Sequence, residues 1–299
     1  MTGPSRVVVV GDLITDVVAV LAGPLATGSD TPATIQVSGG GQAANTAAWI
    51  AAQGVPVTLV GAVGDDSAGR DRVAELERVG VECAVEAHPG CATGTVIVLA
   101  TAGERTMVTE RGANLRLTVE HVERALAAAP DAAHLHLSGY CLLDAASRPA
   151  GLAALAAARA RGLTTSVDAA SAAPLRRVGA AAFLSWVRDV DLLLVNADEA
   201  GVLAGGLDPG AQARALSVSA RRVVVKRGEA GAVWVDRSAT VSVAPARRVA
   251  VVDVTGAGDA FAAGLLTAWL GGAEPRAALG RAGDLGALAV STVGARPTA

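Results

Sequence analysis

From Thr118 onward the sequence alternates between short apolar runs and alanine-rich segments, and this alternation constrains the fold more than any single motif. Ala133–Leu137, Leu163–Val167, Asp191–Val195 and Arg222–Val225 have the length and Val/Leu content of buried parallel strands. Helical stretches separate them. Thr118 caps one that runs to Ala129, and Ala145–Arg161 and Ala180–Val187 read as two more. Asn196-Ala197-Asp198-Glu199 opens another, and a last helix spans about Pro275 to Val290. Gly231–Val235 and Thr240–Val243 read as a hairpin. This order predicts a three-layer α/β/α molecule with a mainly parallel central sheet and helices on both faces.

The N-terminal part is less regular. Arg6–Val10 is a continuous apolar strand ending in Gly11-Asp12-Leu13-Ile14-Thr15-Asp16. Acids just past the C-terminal end of a strand lie where open α/β sheets bind ligands. One of the two can cap a turn; Asp16 is read as functional. Pro56–Val63 is a strand and Ser67–Val79 an amphipathic helix stopped by Gly80. Short, partly polar runs at Val17–Leu21, Ala33–Val37, Glu82–Glu86, Thr93–Ala100 and Thr106–Glu110 are predicted to form a separate small sheet, with Thr101–Arg105 as a hairpin turn. That lid is drawn from about residues 15–37 and 82–111 of a single domain covering residues 1–299.

Half the residues are apolar (52%) but only 2% are aromatic, so the core must be built from Ala, Val and Leu. A net charge of −3 and the lack of a basic block argue against nucleic acid as a partner. Cys83, Cys91 and Cys141 are scattered and odd in number, as expected of reduced thiols in the cytoplasm. No signal peptide and no membrane-spanning run is read, so no membrane partner is expected.

Two glycine-bearing helix starts carry the chemistry. Ser38-Gly39-Gly40-Gly41-Gln42-Ala43-Ala44-Asn45 satisfies G-x-G-x-x-A, but it follows a polar strand and lies away from the first βα turn, which weighs against a dinucleotide site. Asn45, one helical turn in, reaches back over the glycines. The second start is an apolar run ending at Asp253, then Thr255-Gly256-Ala257-Gly258-Asp259, then a helix over Ala260–Leu270. Glycines allow a tight turn, and the amides of a helix start attract anions, phosphate above all. Two readings fit Asp259: a helix cap, or a carboxylate that accepts the proton of a hydroxyl attacking a phosphoryl group. Arg111, leaving the lid, reads as a surface residue or as a phosphate or substrate contact. His134 and His136 share a strand face and read as a packed or rim pair rather than metal ligands. There is no P-loop, no Gly-x-Ser-x-Gly elbow and no zinc spacing.

Gly39-Gly40-Gly41-Gln42-Ala43-Ala44-Asn45 resembles the N-terminal signature of the ribokinase-like (PfkB) carbohydrate kinases, and Asp253–Asp259 resembles their C-terminal signature. Asn196-x-x-Glu199 is similar to the family's magnesium motif, and Gly294-Ala295 falls in family order, so the resemblance covers essentially the whole chain. It implies an ATP- and Mg²⁺-dependent kinase with Asp259 as general base and the amides of Gly256, Ala257 and Gly258 as anion hole. It implies that Asn196 and Glu199 orient Mg²⁺ largely through water, with Asp168 at the same rim. Lys226, Gly228 and Thr255 would contact the nucleotide, and Asp12, Asp16, Gly40, Gly41, Asn45 and Arg111 the acceptor. A K⁺ site is implied at Asp253, Thr255, Ala289, Thr292, Gly294 and Thr298. Ribokinases proper have Lys where Gln42 stands and Glu where Ser138 stands, which argues against strict ribose specificity. An Asn that often faces the nucleotide is replaced by Gly283.

The expected function is phosphorylation of a primary hydroxyl of a small sugar or sugar acid. A nucleoside kinase of adenosine or pseudouridine type is the alternative; its base would need apolar surface, for which Trp49 is the candidate. A catalytically silent sugar- or nucleotide-binding regulator is disfavoured by the intact Gly256–Asp259 turn. Exposed lid edges predict a homodimer.

Overall fold

The computed structural model describes residues 6–101, 104–206, 208–237 and 241–297. Arg6–Val10 (β1) is one valine after another beyond Arg6, and Val7 to Val10 are fully buried, as in a strand covered on both faces. The chain then leaves the main sheet through Ile14–Leu21 (β2), which pairs antiparallel with Ala33–Gly40 (β3). Gly41, at φ +103°, turns the chain into Gln42–Ala51 (α1). Val57–Gly64 (β4) returns parallel to β1. Ser67–Arg78 (α2) follows, its first turn capped by Asp66, whose carboxylate accepts the Gly69 amide at 2.7 Å. Glu82–His88 (β5) then pairs parallel with β4. Gly94–Thr101 (β6) and Glu104–Glu110 (β7) complete a four-stranded small sheet in the order β3-β2-β6-β7.

The remaining chain follows the predicted rhythm. Val119–Ala128 (α3), capped by Thr118, leads to Ala132–Ser138 (β8), the single turn Tyr140–Leu143 (α4) and Arg148–Ala160 (α5). Thr164–Asp168 (β9) precedes the short helices Ala172–Val178 (α6) and Ala180–Trp186 (α7). Leu192–Asn196 (β10), Ala197–Ala204 (α8), Pro209–Leu216 (α9) and Arg222–Lys226 (β11) come next. Ala232–Asp236 (β12) and Val241–Ala244 (β13) form the hairpin, and Ala257–Leu270 (α10) and Pro275–Val290 (α11) close the fold. The main sheet has nine strands in the order β13-β12-β11-β10-β9-β8-β1-β4-β5, parallel except where β12 and β13 join.

Each face of this sheet carries its own core. Leu135, Leu137, Val167, Leu193 and Val195 pack with α3, α5 and α8, while Val7, Val9, Leu59, Leu194 and Trp234 pack with α1, α10 and α11. With few aromatics, the second core depends on close helix approach. A Cβ on Gly264 of α10 would lie 2.9 Å from the Arg281 carbonyl of α11.

The predicted lid needs one correction. Glu82–His88 belongs to the main sheet, not the small one, which begins at β6 on that side. The physical reason is the β4–α2–β5 unit: a strand, a crossover helix and a second strand place the latter parallel beside the first. Its alternating, half-polar pattern is that of an edge strand. The short helices α4, α6 and α9 are additions to the sequence reading. In the small sheet, the register sets Val37, Val17, Ile97 and Val108 side by side across all four strands. Val37, Ile97 and Val108 are exposed.

Candidate active site

Strands β1, β8, β9, β10 and β11 run parallel and end at one edge of the sheet. Each delivers a polar residue there: Asp12, Ser138, Asp168, Asn196 and Lys226. The glycine end of β3 and the start of α10 converge on the same edge, because Asn45 of α1 donates its amide nitrogen to Asp259 Oδ2 at 2.9 Å.

Backbone proximity explains the glycines. A Cβ on Gly40 would sit 2.2 Å from an oxygen of Asp16, and one on Gly41 2.4 Å from the Asp12 carbonyl. The Asp12 carboxylate receives the Gln42 amide at 3.1 Å, so it holds the start of α1. The Ser138 hydroxyl lies 2.9 Å from Asp12 Oδ1 and 2.7 Å from Gln42 Oε1; with one proton it donates to one of them at a time. Gln42 in turn donates to Asp168 Oδ1 at 3.1 Å. Arg111 comes from the end of β7 to 3.6 Å from Asp12 and lies over the Tyr140 ring at 4.5 Å. Burial raises the Asp16 carboxyl to about 6, against the pull of the Arg296 guanidinium.

On the other side of Asp259 lies the α10 start. Gly256 is left-handed, at φ +74°, and a Cβ there would meet the Ala295 carbonyl at 2.4 Å. The first amides of α10 have no intrahelical partners, and that of Ala257 meets the Val254 carbonyl at 3.4 Å. Lys226 reaches the same point: its ammonium would be 3.5 Å from a Cβ on Gly258, and it pairs with Asp168 Oδ2 at 2.5 Å. Burial disfavours the ammonium, but Asp168 and Glu199 outweigh it and raise the Lys226 pKa. Burial also pushes the Asp259 carboxyl well above the usual range; the Asn45 hydrogen bond pulls the other way and Asp168 adds to the rise. A cavity of about 1070 Å³ opens from this turn, lined by Lys226, Gly228, Val251, Gly258, Phe261 and Gly283. A second cavity of about 620 Å³, among α6, α8 and α9, is lined by Arg176, Asp198 and Gln212 and by none of the residues above except through their neighbours in sequence.

Asn196 and Glu199 form a capping box at α8. Glu199 accepts the Asn196 backbone amide and side-chain amide, both at 2.7 Å, and returns its own N–H to Asn196 Oδ1 at 2.9 Å. Burial, with Asp168 nearby, lifts the Glu199 carboxyl to about 7. Asp253 joins two loops: Oδ1 accepts from Thr255 N at 2.9 Å and Oγ1 at 2.6 Å, and Oδ2 accepts from Gly294 N at 3.1 Å. The Ala289 carbonyl receives the Thr292 hydroxyl at 3.2 Å. Thr298 lies outside the described residues.

The sequence matches the profile of the pfkB family carbohydrate kinases over residues 4–299. The chain belongs to the PfkB family. It is similar to an ATP-dependent ribose-1-phosphate kinase of Halopiger xanaduensis, 34% identical over 92% of this chain and 89% of that one. It is also similar to fructokinase-2 of Oryza sativa subsp. japonica, 30% identical over 88% and 79%. Among solved structures, an adenosine kinase from Sinorhizobium meliloti superposes with a TM-score of 0.89 at 25% identity, covering 99% and 97% of the two chains. A putative ribokinase II of E. coli in complex with ATP and Mg²⁺ superposes at 0.85 with 26% identity, over 97% and 94%. The fold is therefore ribokinase-like and the enzyme a carbohydrate kinase of the PfkB type.

Two features of this PfkB kinase escape a sequence reading. Tyr140, the one tyrosine of the chain, borders Asp12 and Arg111 with its hydroxyl pushed up to about 12 by burial. Arg296 bonds Asn45; its only signal in sequence is its place after Gly294-Ala295. One expectation is corrected: Trp49 is 2% exposed, with its indole N–H on the Ala295 carbonyl at 3.0 Å, and offers no surface to a ligand. His134 and His136 are fully buried and meet the Ser166 hydroxyl, each at 2.7 Å, as a packed pair. Among the described residues, no helix is long and apolar enough to cross a membrane.

Proposed function

We propose that this PfkB kinase transfers the γ-phosphoryl group of Mg-ATP to a primary hydroxyl of a small sugar or sugar acid, with Asp259 as general base. The observation that carries this reading is the position of Asp259, in the first turn of α10 and held by Asn45 beside the glycine end of β3, with a raised pKa. A carboxylate whose pKa is raised by burial is a stronger proton acceptor than a solvated one. It takes the hydroxyl proton as the new O–P bond forms and the bond to the departing ADP breaks. The amides of Gly256, Ala257 and Gly258 would serve as the anion hole, where fixed donors stabilise developing charge without reorganising. Lys226 adds a cation at the same turn. Asp16 and Asn45, acceptor and donor, suit adjacent hydroxyls of a polyol.

The cavity beyond Gly258 and Lys226 suits a nucleotide: it combines apolar walls at Val251 and Phe261 with a cationic, amide-rich end. Bound Mg-ATP supplies the phosphoryl group and the divalent charge that offsets the phosphates. Asn196 and Glu199 would hold the cation through water; their oxygens and amide are already engaged in the α8 cap, which orients rather than frees them. Asp253, the Thr255 backbone, Ala289, Thr292, Gly294 and Thr298 are proposed for K⁺, since Asp253 already draws the two loops together.

Sugars are favoured over nucleosides because Trp49 is buried and one face of Tyr140 is taken by Arg111. Arg111 would meet a carboxylate or phosphate on the acceptor. The test is ADP release from Mg-ATP with pentoses, hexoses, keto-deoxy sugar acids, ribose 1-phosphate and adenosine, with and without K⁺. Turnover with a sugar or sugar acid supports the reading; turnover with adenosine alone overturns it in favour of the nucleoside kinase. Asp259→Asn is expected to lose turnover by more than ~100-fold while still binding acceptor. Full turnover in that variant rejects the mechanism. We place the chain in the cytoplasm and propose a homodimer formed through the small sheet.

A further inference from the structure

Arg296 follows Gly294-Ala295 at the end of the chain, yet its guanidinium lies beneath the acceptor glycines. Its Nε donates to Asn45 Oδ1 at 3.1 Å, one terminal nitrogen to the Gly40 carbonyl at 3.0 Å, and the other pairs with Glu75 at 3.3 Å. The segment carrying it is pinned on both sides. Trp49, one turn beyond Asn45 on α1, holds the Ala295 carbonyl, and Asp253 holds the Gly294 amide. Burial lowers the Arg296 pKa to about 10, with Glu75 as the main counterweight, so it stays charged at neutral pH.

An asparagine side chain has an oxygen that only accepts and a nitrogen that only donates, and the two ends are nearly equal in shape. A guanidinium has no acceptor. Whichever end of Asn45 faces Arg296 must therefore be the oxygen, and the nitrogen is left for Asp259. We propose that Arg296 is a positioning residue for phosphoryl transfer: it orients the Asn45 amide so that its nitrogen meets Asp259, and it holds the Gly40 strand end beside Asp16. This rests on Asp259 being the base. Without Arg296 the amide is free to rotate and the carboxylate loses its fixed donor, a misplacement near the reacting atoms.

The groups that set the Asp259 carboxyl are Asn45 on α1, Asp12 after β1, Tyr140 on α4, Asp168 on β9 and Lys226 on β11. Of these, Arg296 touches Asn45. Losing the Asn45 donor raises the Asp259 pKa, so the acid limb of kcat moves to higher pH. The experiment is a cycle of Arg296→Met, Asn45→Ala and the double variant, with kcat measured from pH 5 to 9 on the acceptor that the ADP-release test identifies. Arg296→Met is expected to lower kcat by roughly 10- to 100-fold and to shift the acid limb upward. In the Asn45→Ala background it should change neither kcat nor the limb, while KM still rises through Gly40 and Asp16. If Arg296→Met does not fold, Arg296→Gln, which can turn an acceptor as well as a donor toward Asn45, is measured in the same way. A folded variant with a wild-type acid limb, or equal kcat losses with and without Asn45, overturns the proposal. Asp259→Asn separates the two readings: full turnover there removes the base itself, whereas an inactive Asp259→Asn beside an unshifted Arg296 variant removes only the role of Arg296.

Discussion

Asp16 shows what the site costs a single residue. The residue is 8% exposed, and burial outweighs the pull of Arg296 and Arg72 to raise its carboxyl from 3.8 to about 6. The folded chain then holds this proton more tightly than the unfolded chain. Stability from this group is full below about pH 4 and is lost as pH rises through 6. At pH 7.5 the ionised form costs about 2–3 kcal/mol. Asp16→Asn is therefore expected to melt at higher temperature than the parent at pH 7.5, with the gap closing toward pH 4. The same change should raise the acceptor KM on the order of 10-fold or more, since a charged acceptor is lost. Melting curves at the two pH values and acceptor titrations check both halves. A lower melting temperature at pH 7.5 would contradict the burial argument. Asp16 was legible in the sequence as an acid past a strand end; its proton affinity was not, because that depends on Gly40, Asp12 and Arg296 closing around it.

At the scale of elements, the start of α10 depends on a segment that follows α11. Gly256 needs a left-handed backbone, and its missing Cβ makes room for the Ala295 carbonyl. Gly256→Ala should therefore lose about 1–3 kcal/mol of stability. If its amides serve as the anion hole, kcat should also fall on the order of 10-fold or more. Chemical denaturation and steady-state kinetics on the same preparation test this, and unchanged kcat in a folded Gly256→Ala would count against that turn as the hole. The turn itself could be read from Thr255-Gly256-Ala257-Gly258, because φ preference is local. The helix start at Asn196 was equally readable, although the capping box that it forms with Glu199 was not read there. Glu82–His88 was not, because the local pattern of an edge strand is the same in a main sheet and in a lid.

For the whole molecule, the small sheet carries a row of exposed apolar side chains. Val37, Ile97 and Val108 are 64%, 42% and 57% exposed and stand in one row with Val17. Fully burying such a side chain contributes about 1.5–3 kcal/mol, which favours a second copy laid on this row. Sedimentation at micromolar concentration should show a dimer, and Ile97→Glu with Val37→Glu should give a monomer with an unchanged far-ultraviolet spectrum. A monomeric parent chain would rule the small-sheet dimer out.

The sequence by itself determined the alternation of strands and helices, the two glycine turns and the acids at strand ends. Each of these follows from local rules: side-chain period, allowed φ, and capping over three or four residues. Only the tertiary structure decided the partners. Arg296 meets Asn45 across 251 positions, Gln42 meets Asp168 across 126, and Trp49 spends its indole on Ala295 rather than on a ligand. Those pairings depend on strand order and on which polar groups lose water together, and neither is encoded in any short stretch of the chain.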